Sequence, residues 1–226
     1  MLTVLVMAAG SGTRMQSSMN KMFLDLCGEP VLCRTLERLH LCPSINELIL
    51  VAALADLPMW QELKLEQRFP KLQRIVVGGS TRQASVGAGL KALAPDCDYV
   101  AIHDGARPLL QPADAEKLFI SGCEAAILAV KAKDSIKVGQ EFIQSSLDRN
   151  EIWLAQTPQF FARGLICRAY EQAQASGQEY SDDASLVSAL GVEVALVTGS
   201  YSNLKVTTPE DYIIAEAIWR WQNASG

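Results

Sequence analysis

Short, uninterrupted apolar runs alternating with longer amphipathic stretches constrain this chain more than any other feature. Residues 2–7, 45–52, 74–77, 99–102, 125–130 and 192–197 are such runs, rich in Val, Ile and Leu. Runs of this length suit strands covered on both faces. Between them, 30–41, 81–93, 112–121, 163–175 and 209–221 carry apolar residues at helical spacing. The alternation predicts an α/β fold: a Rossmann-like, mainly parallel twisted sheet with helices on both faces. Ligands of such sheets bind beyond the carboxyl ends of the strands. With 226 residues, 49% of them hydrophobic, the chain can bury a substantial core, and no repeat, low-complexity tract or linker divides 1–226 into more than one domain.

Residues 131–152 break the alternation. Ser135-Ile136-Lys137-Val138 alternates, Gly139-Gln140-Glu141 reads as a turn, and 142–147 is extended again, which predicts a protruding β-hairpin arm. A lone two-stranded hairpin is marginal in water. The arm is therefore expected either to dock on a second copy, as a homodimer, or to pack on its own domain. The net charge of −5 gives no footprint for nucleic acid or an anionic membrane. No apolar run approaches the ~18 residues of a membrane span. The apolar opening at 1–9 lacks a basic leader and is expected to be a buried strand rather than a signal peptide. Six cysteines without a C-x-x-C pair point to reduced thiols rather than a zinc site, and the expectation is a soluble, cytoplasmic protein.

The first strand runs into Ala8-Ala9-Gly10-Ser11-Gly12-Thr13-Arg14-Met15. Two glycines let the backbone curve around a ligand with its N–H groups inward, an arrangement that suits phosphate oxygens. Met15 stands where the dinucleotide pattern G-x-G-x-x-G needs its third glycine, and no G-K-[ST] follows, so neither the dinucleotide fingerprint nor the P-loop is present. What remains is a glycine turn holding Arg14, with Lys21 seven residues further on.

That loop, Ala-Ala-Gly-x-Gly-x-Arg-Met followed by Lys21, resembles the signature of sugar-phosphate nucleotidyltransferases of the GT-A-like superfamily. Later blocks narrow the resemblance. Gly78-Gly79-Ser80-Thr81-Arg82-Gln83-Ala84-Ser85-Val86, His103-Asp104-Gly105-Ala106-Arg107-Pro108 and Asn203-Leu204-Lys205-Val206-Thr207-Thr208-Pro209-Glu210-Asp211 resemble the 2-C-methyl-D-erythritol 4-phosphate cytidylyltransferase family. Asp148-Arg149-Asn150, Thr157-Pro158-Gln159 and Ser181-Asp182-Asp183-Ala184-Ser185 fit it in the same order. The resemblance spans essentially the whole chain.

It implies attack by a polyol phosphate on the α-phosphorus of CTP, with pyrophosphate leaving. A phosphate monoester, whose second pKa is ~6, needs no general base. The reaction does need repulsion between two polyanions cancelled, and Mg2+ with fixed Arg and Lys side chains are the implied means. By resemblance, Arg14 and Lys21 stabilise the transition state, and the amides of Ala9, Gly10, Ser11 and Gly12 hold phosphates. Gly79, Ser80 and Ser85, with Ala8 and Ala9, form the cytosine pocket, while Arg149 and Lys205 hold the incoming phosphate. Asp104 contacts the same substrate, with metal coordination as its other role, and Ser135 and Ser181 place hydroxyls nearby. Ser181 stands where the family has threonine, and Gly105 where it has alanine. Arg82 and Arg107 read as braces, and His40 and His103 are assigned no chemistry. Ribitol 5-phosphate cytidylyltransferases share the fold, CTP and most of these blocks, so only the acceptor pocket separates the two readings. A non-catalytic CTP-binding regulator would have no use for Arg14, Lys21, Arg149 and Lys205 together.

Overall fold

The structure, a computed structural model, describes residues 1–10 and 20–224. In chain order its strands are β1 (Leu2–Ala8), β2 (Glu47–Ala52), β3 (Leu72–Val77), β4 (Tyr99–Asp104), β5 (Ala125–Lys131), β6 (Ile136–Gly139), β7 (Ile143–Leu147), β8 (Trp153–Ala162) and β9 (Ala195–Thr198). Its helices are α1 (Val31–His40), α2 (Leu57–Glu62), α3 (Leu65–Arg68), α4 (Arg82–Lys91), α5 (Pro112–Phe119), α6 (Arg163–Ser176), α7 (Asp183–Ser188) and α8 (Pro209–Asn223). Seven strands form one sheet in the order β3-β2-β1-β4-β8-β5-β9, parallel except for β8.

Alternation along β1 shows how both faces are covered. Val4 and Val6 join Leu32, Leu36 and Leu39 of α1 in one core layer. Leu5 and Met7 point the other way, into a layer with Val86 of α4 and Leu165 and Ile166 of α6. Burying each such side chain contributes roughly 1.5–3 kcal/mol, which is why the strands read as unbroken apolar runs. On that second face α4 lies close to the sheet at Gly89, where an added Cβ would stand 2.9 Å from Leu5 Cδ1 and 3.1 Å from Val51 Cγ2. A third, smaller layer of Leu26, Val31, Leu109, Val206, Ala215 and Trp219 seats α8 against α1. Thr208 and Asp211 form a reciprocal capping box at the start of α8, with Pro209 in its first turn.

The expected α/β sheet is present, with two differences. The sequence reading places no strand at 153–162, yet β8 lies between β4 and β5 and runs antiparallel to both. Its Pro158 cannot donate to a ladder and argues against a central strand. Here the ladder gives way around it: pairing with β5 shifts between Ile127 and Ala129, and pairing with β4 ends at Ile102 and Gln159. The second difference is at the arm, where β6 and β7 pair with each other as expected, but the bend includes Phe142, which is 82% exposed. No helix among the described residues is long and apolar enough to cross a membrane.

Chain order explains where a cleft must form. The strands β1, β2 and β3 are laid down outward in one direction, and the chain then returns to place β4 on the other side of β1. Loops leaving β1 and β4 diverge from this switch point and leave a crevice at the carboxyl ends. Since β8 is held from both sides and Phe161 is fully buried, Phe161→Ala should cost about 3–5 kcal/mol in urea denaturation. A loss below 1 kcal/mol would show that β8 is peripheral.

Candidate active site

A cleft of about 410 Å³ lies at that switch point, lined by Ala9 and Gly10 after β1, Lys21, the 79–82 loop with Ser85, Asp104 and Ala106 after β4, and Lys205 with Thr207 before α8. The first wall depends on small residues. A Cβ on Gly78 would lie 2.5 Å from Ala9 Cβ, so the loops after β1 and β3 meet closely because Gly78 has no side chain, and a Cβ on Gly79 would lie 2.5 Å from Ala84 Cβ, so the loop folds tightly onto the start of α4. Thr81 caps α4 by accepting the Ala84 N–H at 3.0 Å. The buried Ser85 hydroxyl accepts the Gly79 N–H at 3.1 Å and donates to the Thr81 carbonyl at 2.8 Å, which fixes the loop's curvature.

The opposite wall is organised by charge. Asp104 is buried at the end of β4, beside Met7 of β1. Its Oδ2 lies 2.9 Å from Lys205 Nζ and 3.6 Å from Arg107 Nε. Burial pushes the carboxyl up, but Lys205, Arg107 and Arg82 outweigh it and hold Asp104 down at about 2. Arg107 also donates to the Asn203 carbonyl at 2.6 Å. Buried Asn203 in turn donates to Gln156 Oε1 at 3.2 Å and to the Thr157 carbonyl at 3.0 Å. The Val206 N–H reaches the Ala106 carbonyl at 2.8 Å, and the Val206 carbonyl accepts from Lys21 Nζ at 2.9 Å. The segment carrying Lys205 is thus fastened along its length, and it meets Lys21 from a distant part of the chain.

The lapse in the β4–β8 ladder serves this wall. Beyond Ile102 the backbone ladder to β8 has ended, and the Asp104 N–H donates instead to the side-chain hydroxyl of Thr157 on β8 at 3.0 Å. The same oxygen lies 3.1 Å from His103 Nδ1. His103 is fully buried, and burial pushes it down to about 4, so its ring is neutral at physiological pH. Arg82 behaves differently from the lysines. Its guanidinium donates to both carboxylate oxygens of the fully buried Asp183, at 3.0 and 2.5 Å, and the Tyr170 hydroxyl donates to that same carboxylate. Burial lowers the Arg82 pKa, but the Asp183 pair outweighs it and the net shift is upward. Arg82 lines the cleft as a brace, with its charge already balanced.

Of the residues singled out from sequence, the cleft brings together Ala9, Gly10, Lys21, Gly79, Ser80, Ser85, Asp104 and Lys205. Ser11, Gly12 and Arg14 lie outside the described residues. Ala8 is fully buried at the end of β1 and is not among the cleft-lining residues. Ser135, Arg149 and Ser181 are not among the cleft-lining residues of this chain, and all three are exposed. Arg149 sits at the root of the arm and donates to the Lys133 carbonyl at 3.0 Å, and the Ser181 hydroxyl is 3.3 Å from that of Ser185. Thr157, Asn203 and Gln156 support the charged wall without having been assigned a role from sequence. Thr157 and Asn203 fall inside the recognised blocks, and that placement is the signal that pointed to them.

Among the described residues no three His, Cys, Asp or Glu side chains cluster as a resident metal would require. With Arg82 balanced by Asp183, Lys21 and Lys205 face one carboxylate, Asp104, among the described lining residues, which leaves the lining an excess of positive charge in a chain whose net charge is −5. Such a surface is suited to polyanions, phosphates above all.

The family described as IspD: 2-C-methyl-D-erythritol 4-phosphate cytidylyltransferase matches residues 2–221. A 2-C-methyl-D-erythritol 4-phosphate cytidylyltransferase of Syntrophotalea carbinolica is 44% identical over 219 residues, covering 95% of this chain and 94% of its own. One from Geotalea uraniireducens is 42% identical, with 99% of this chain and 98% of its own covered. Among solved structures, 4-diphosphocytidyl-2C-methyl-D-erythritol synthase from Anaerococcus prevotii superposes with a TM-score of 0.85 at 32% identity, covering 97% of this chain and 98% of that one.

The ion pairs of Asp104 predict a specific pH signature. The folded-state value, about 2, lies below the ordinary 3.8. Their stabilisation is therefore fully present above pH ~4 and is lost as the pH falls through 2. Asp104→Asn should be less stable than the parent by about 3 kcal/mol at neutral pH, with the gap closing toward pH 2 in urea denaturation. A gap that stays constant across this range would show that the carboxylate's charge contributes nothing.

Proposed function

This chain belongs to the 2-C-methyl-D-erythritol 4-phosphate cytidylyltransferase family, and we propose that it performs that family's reaction with cations fixed around the β1–β4 cleft. It is a cytidylyltransferase: CMP passes from CTP to 2-C-methyl-D-erythritol 4-phosphate, pyrophosphate leaves, and 4-diphosphocytidyl-2-C-methyl-D-erythritol forms, a step of non-mevalonate isoprenoid synthesis. The observation that carries the mechanism is the convergence of Lys21 and Lys205 on the one segment 205–206 beside a buried, ionised Asp104.

In this reading the acceptor's own phosphate oxygen attacks the α-phosphorus, and no side chain has to remove a proton. The neutral, buried His103 fits that economy. Arg14 and Lys21 neutralise charge building on the α-phosphoryl group and the leaving pyrophosphate. The amides of Ala9, Gly10, Ser11 and Gly12 hold the triphosphate. Ala9, Gly79, Ser80 and Ser85 frame the cytosine, with Ala8 buried behind them, and their small size leaves little room for a purine. Lys205, Arg149, Asp104, Ser135 and Ser181 hold the acceptor in line. Mg2+ fits the donor set only as an ion carried on the triphosphate, because hard divalent cations accept one or two carboxylates plus phosphate oxygens and water, and among the described residues Asp104 is the one carboxylate lining the cleft. When bound it would offset phosphate charge and orient the α-phosphoryl group.

Arg149 stands on the arm, away from its own cleft, and the arm strands pair with each other alone, with Phe142 82% and Ile143 69% exposed. A homodimer through 131–152, in which each arm brings Arg149 to the other copy's site, accounts for both facts. Six unpaired cysteines suit the reducing cytoplasm.

Pyrophosphate release should require CTP together with 2-C-methyl-D-erythritol 4-phosphate; a strong preference for ribitol 5-phosphate would overturn the acceptor assignment. Lys21→Ala should lower turnover about 10²–10³-fold with an unchanged circular dichroism spectrum, whereas near-normal turnover would rule out its transition-state role. Arg149→Ala should impair use of the acceptor more than use of CTP. Mixing it with Lys21→Ala subunits should restore part of the activity, and no recovery after proven subunit exchange would count against a shared site.

A further inference from the structure

The arm has to be held in one orientation if Arg149 is to serve any site, yet among the described residues its strands pair only with each other. Among the described residues, the side-chain hydrogen bonds and ring contacts leaving the arm root for the rest of the chain go to two aromatic residues. Trp153, the first residue of β8, lies under Lys131 Nζ at 4.3 Å from the ring centroid. Tyr201 makes two contacts: its hydroxyl donates to the Lys131 carbonyl at 2.8 Å, and its ring carries Lys133 Nζ at 3.5 Å from the centroid. Lys133 is also the residue whose carbonyl accepts the Arg149 guanidinium at 3.0 Å. Arg149, Lys133 and Tyr201 therefore form one continuous set of contacts across the root.

Tyr201 has a second connection through its own backbone. It belongs to a turn tied to the sheet by the Gly199 N–H on the Ala129 carbonyl at 3.0 Å and by Gln156 Nε2 on the Ser200 carbonyl at 2.9 Å. The turn is closed by the Asn203 N–H on the Ser200 carbonyl at 3.1 Å. Asn203 is then gripped by Gln156, Thr157 and Arg107, and two residues later Lys205 meets Asp104. Only three residues, Ser202, Asn203 and Leu204, separate the one whose ring holds the arm root from the one whose ammonium meets Asp104.

We propose that Tyr201 is a positioning residue that couples the orientation of the arm, and with it Arg149, to the placement of Lys205. The proposal rests on the reading above, in which Arg149 and Lys205 both hold the acceptor's phosphate. In the arm-mediated dimer this ties Lys205 of one site to the Arg149 that serves the other. Removing the ring frees the arm root and loosens the 200–205 segment together, while the wall that frames the base, built from the loops after β1 and β3, is untouched.

The test combines steady-state kinetics with deuterium uptake followed by mass spectrometry, on full-length parent, Tyr201→Ala and Tyr201→Phe. Tyr201→Ala should raise the acceptor KM about 5- to 30-fold, the combined scale of one exposed cation–π contact and one hydrogen bond, and leave the KM for CTP unchanged. Uptake should rise at 133–150 and at 203–206 together. Tyr201→Phe keeps the ring under Lys133 and loses the hydroxyl, so it should fall between parent and alanine in both measurements. Faster uptake confined to the arm, or equal rises in both KM values, would overturn the coupling. If the parent releases no pyrophosphate from CTP with any polyol phosphate, the functional reading is what fails, and the paired uptake at the two segments still decides the role of Tyr201.

Discussion

A single buried carboxylate organises the functional half of this molecule. Asp104 sits where β4 ends beside β1, and its charge is stabilised there above all by Lys205 and Arg107, which face it. Lys205 belongs to a segment about a hundred residues away in sequence, with no strand to place it. The ion pair, the Arg107 bond to the Asn203 carbonyl and the Val206 pairing with Ala106 together dock that segment on the sheet. Once docked, the Val206 carbonyl becomes available to Lys21. Cations from distant parts of the chain would otherwise repel one another, and burying a charge without a partner costs several kcal/mol. The rest of the charged wall depends on this one negative group.

Most of the architecture was legible in the sequence because it follows from burial. Strands such as β1 and β2, covered on both faces, have to be apolar at every position, and that pattern survives without any knowledge of neighbours. β8 was hidden for a physical reason. Its Pro158 removes a ladder donor, and a local reading cannot tell a broken strand from a loop. The sheet tolerates it because the Thr157 hydroxyl, not a backbone group, satisfies the Asp104 N–H at the break. A side chain replacing a ladder bond leaves no periodic trace.

The site was legible to a different degree on its two sides. Gly79, Lys21, Asp104 and Lys205 stood out through the family blocks that carry them, and the fold supplies the reason for their types: a side chain at Gly79 would strike Ala84, and the three charged groups line one cleft. Supporting residues did not. Asn203 and Gln156 act by satisfying particular backbone carbonyls, and which carbonyls need partners is decided only when the 199–207 segment crosses the carboxyl end of the sheet. Arg82 shows the converse. From composition it counts as one more cation on the cleft, whereas the buried Asp183 balances it completely. Arg149, Ser135 and Ser181 mark where a single chain stops: they match family blocks, but this chain's own fold does not bring them to its cleft.

The counter-ion also bears on how a polyanion would be admitted. A cluster of cations without a negative partner would be destabilised while empty, and one with a fully matched set of partners would have no attraction left for phosphate. Asp104 lies between these limits. It faces Lys205 at 2.9 Å but retains Arg107, whose side chain is nearly buried and whose contacts run inward to Asn203. A phosphate approaching from the cleft can therefore take over Lys205, which is the more exposed of the two, while Arg107 continues to balance the carboxylate. In the proposed reaction the acceptor exchanges one anionic partner of Lys205 for another, so the ammonium is never left bare and the wall never has to reorganise. That preorganisation lets the cleft act through fixed charges, in a reaction whose nucleophile arrives already ionised.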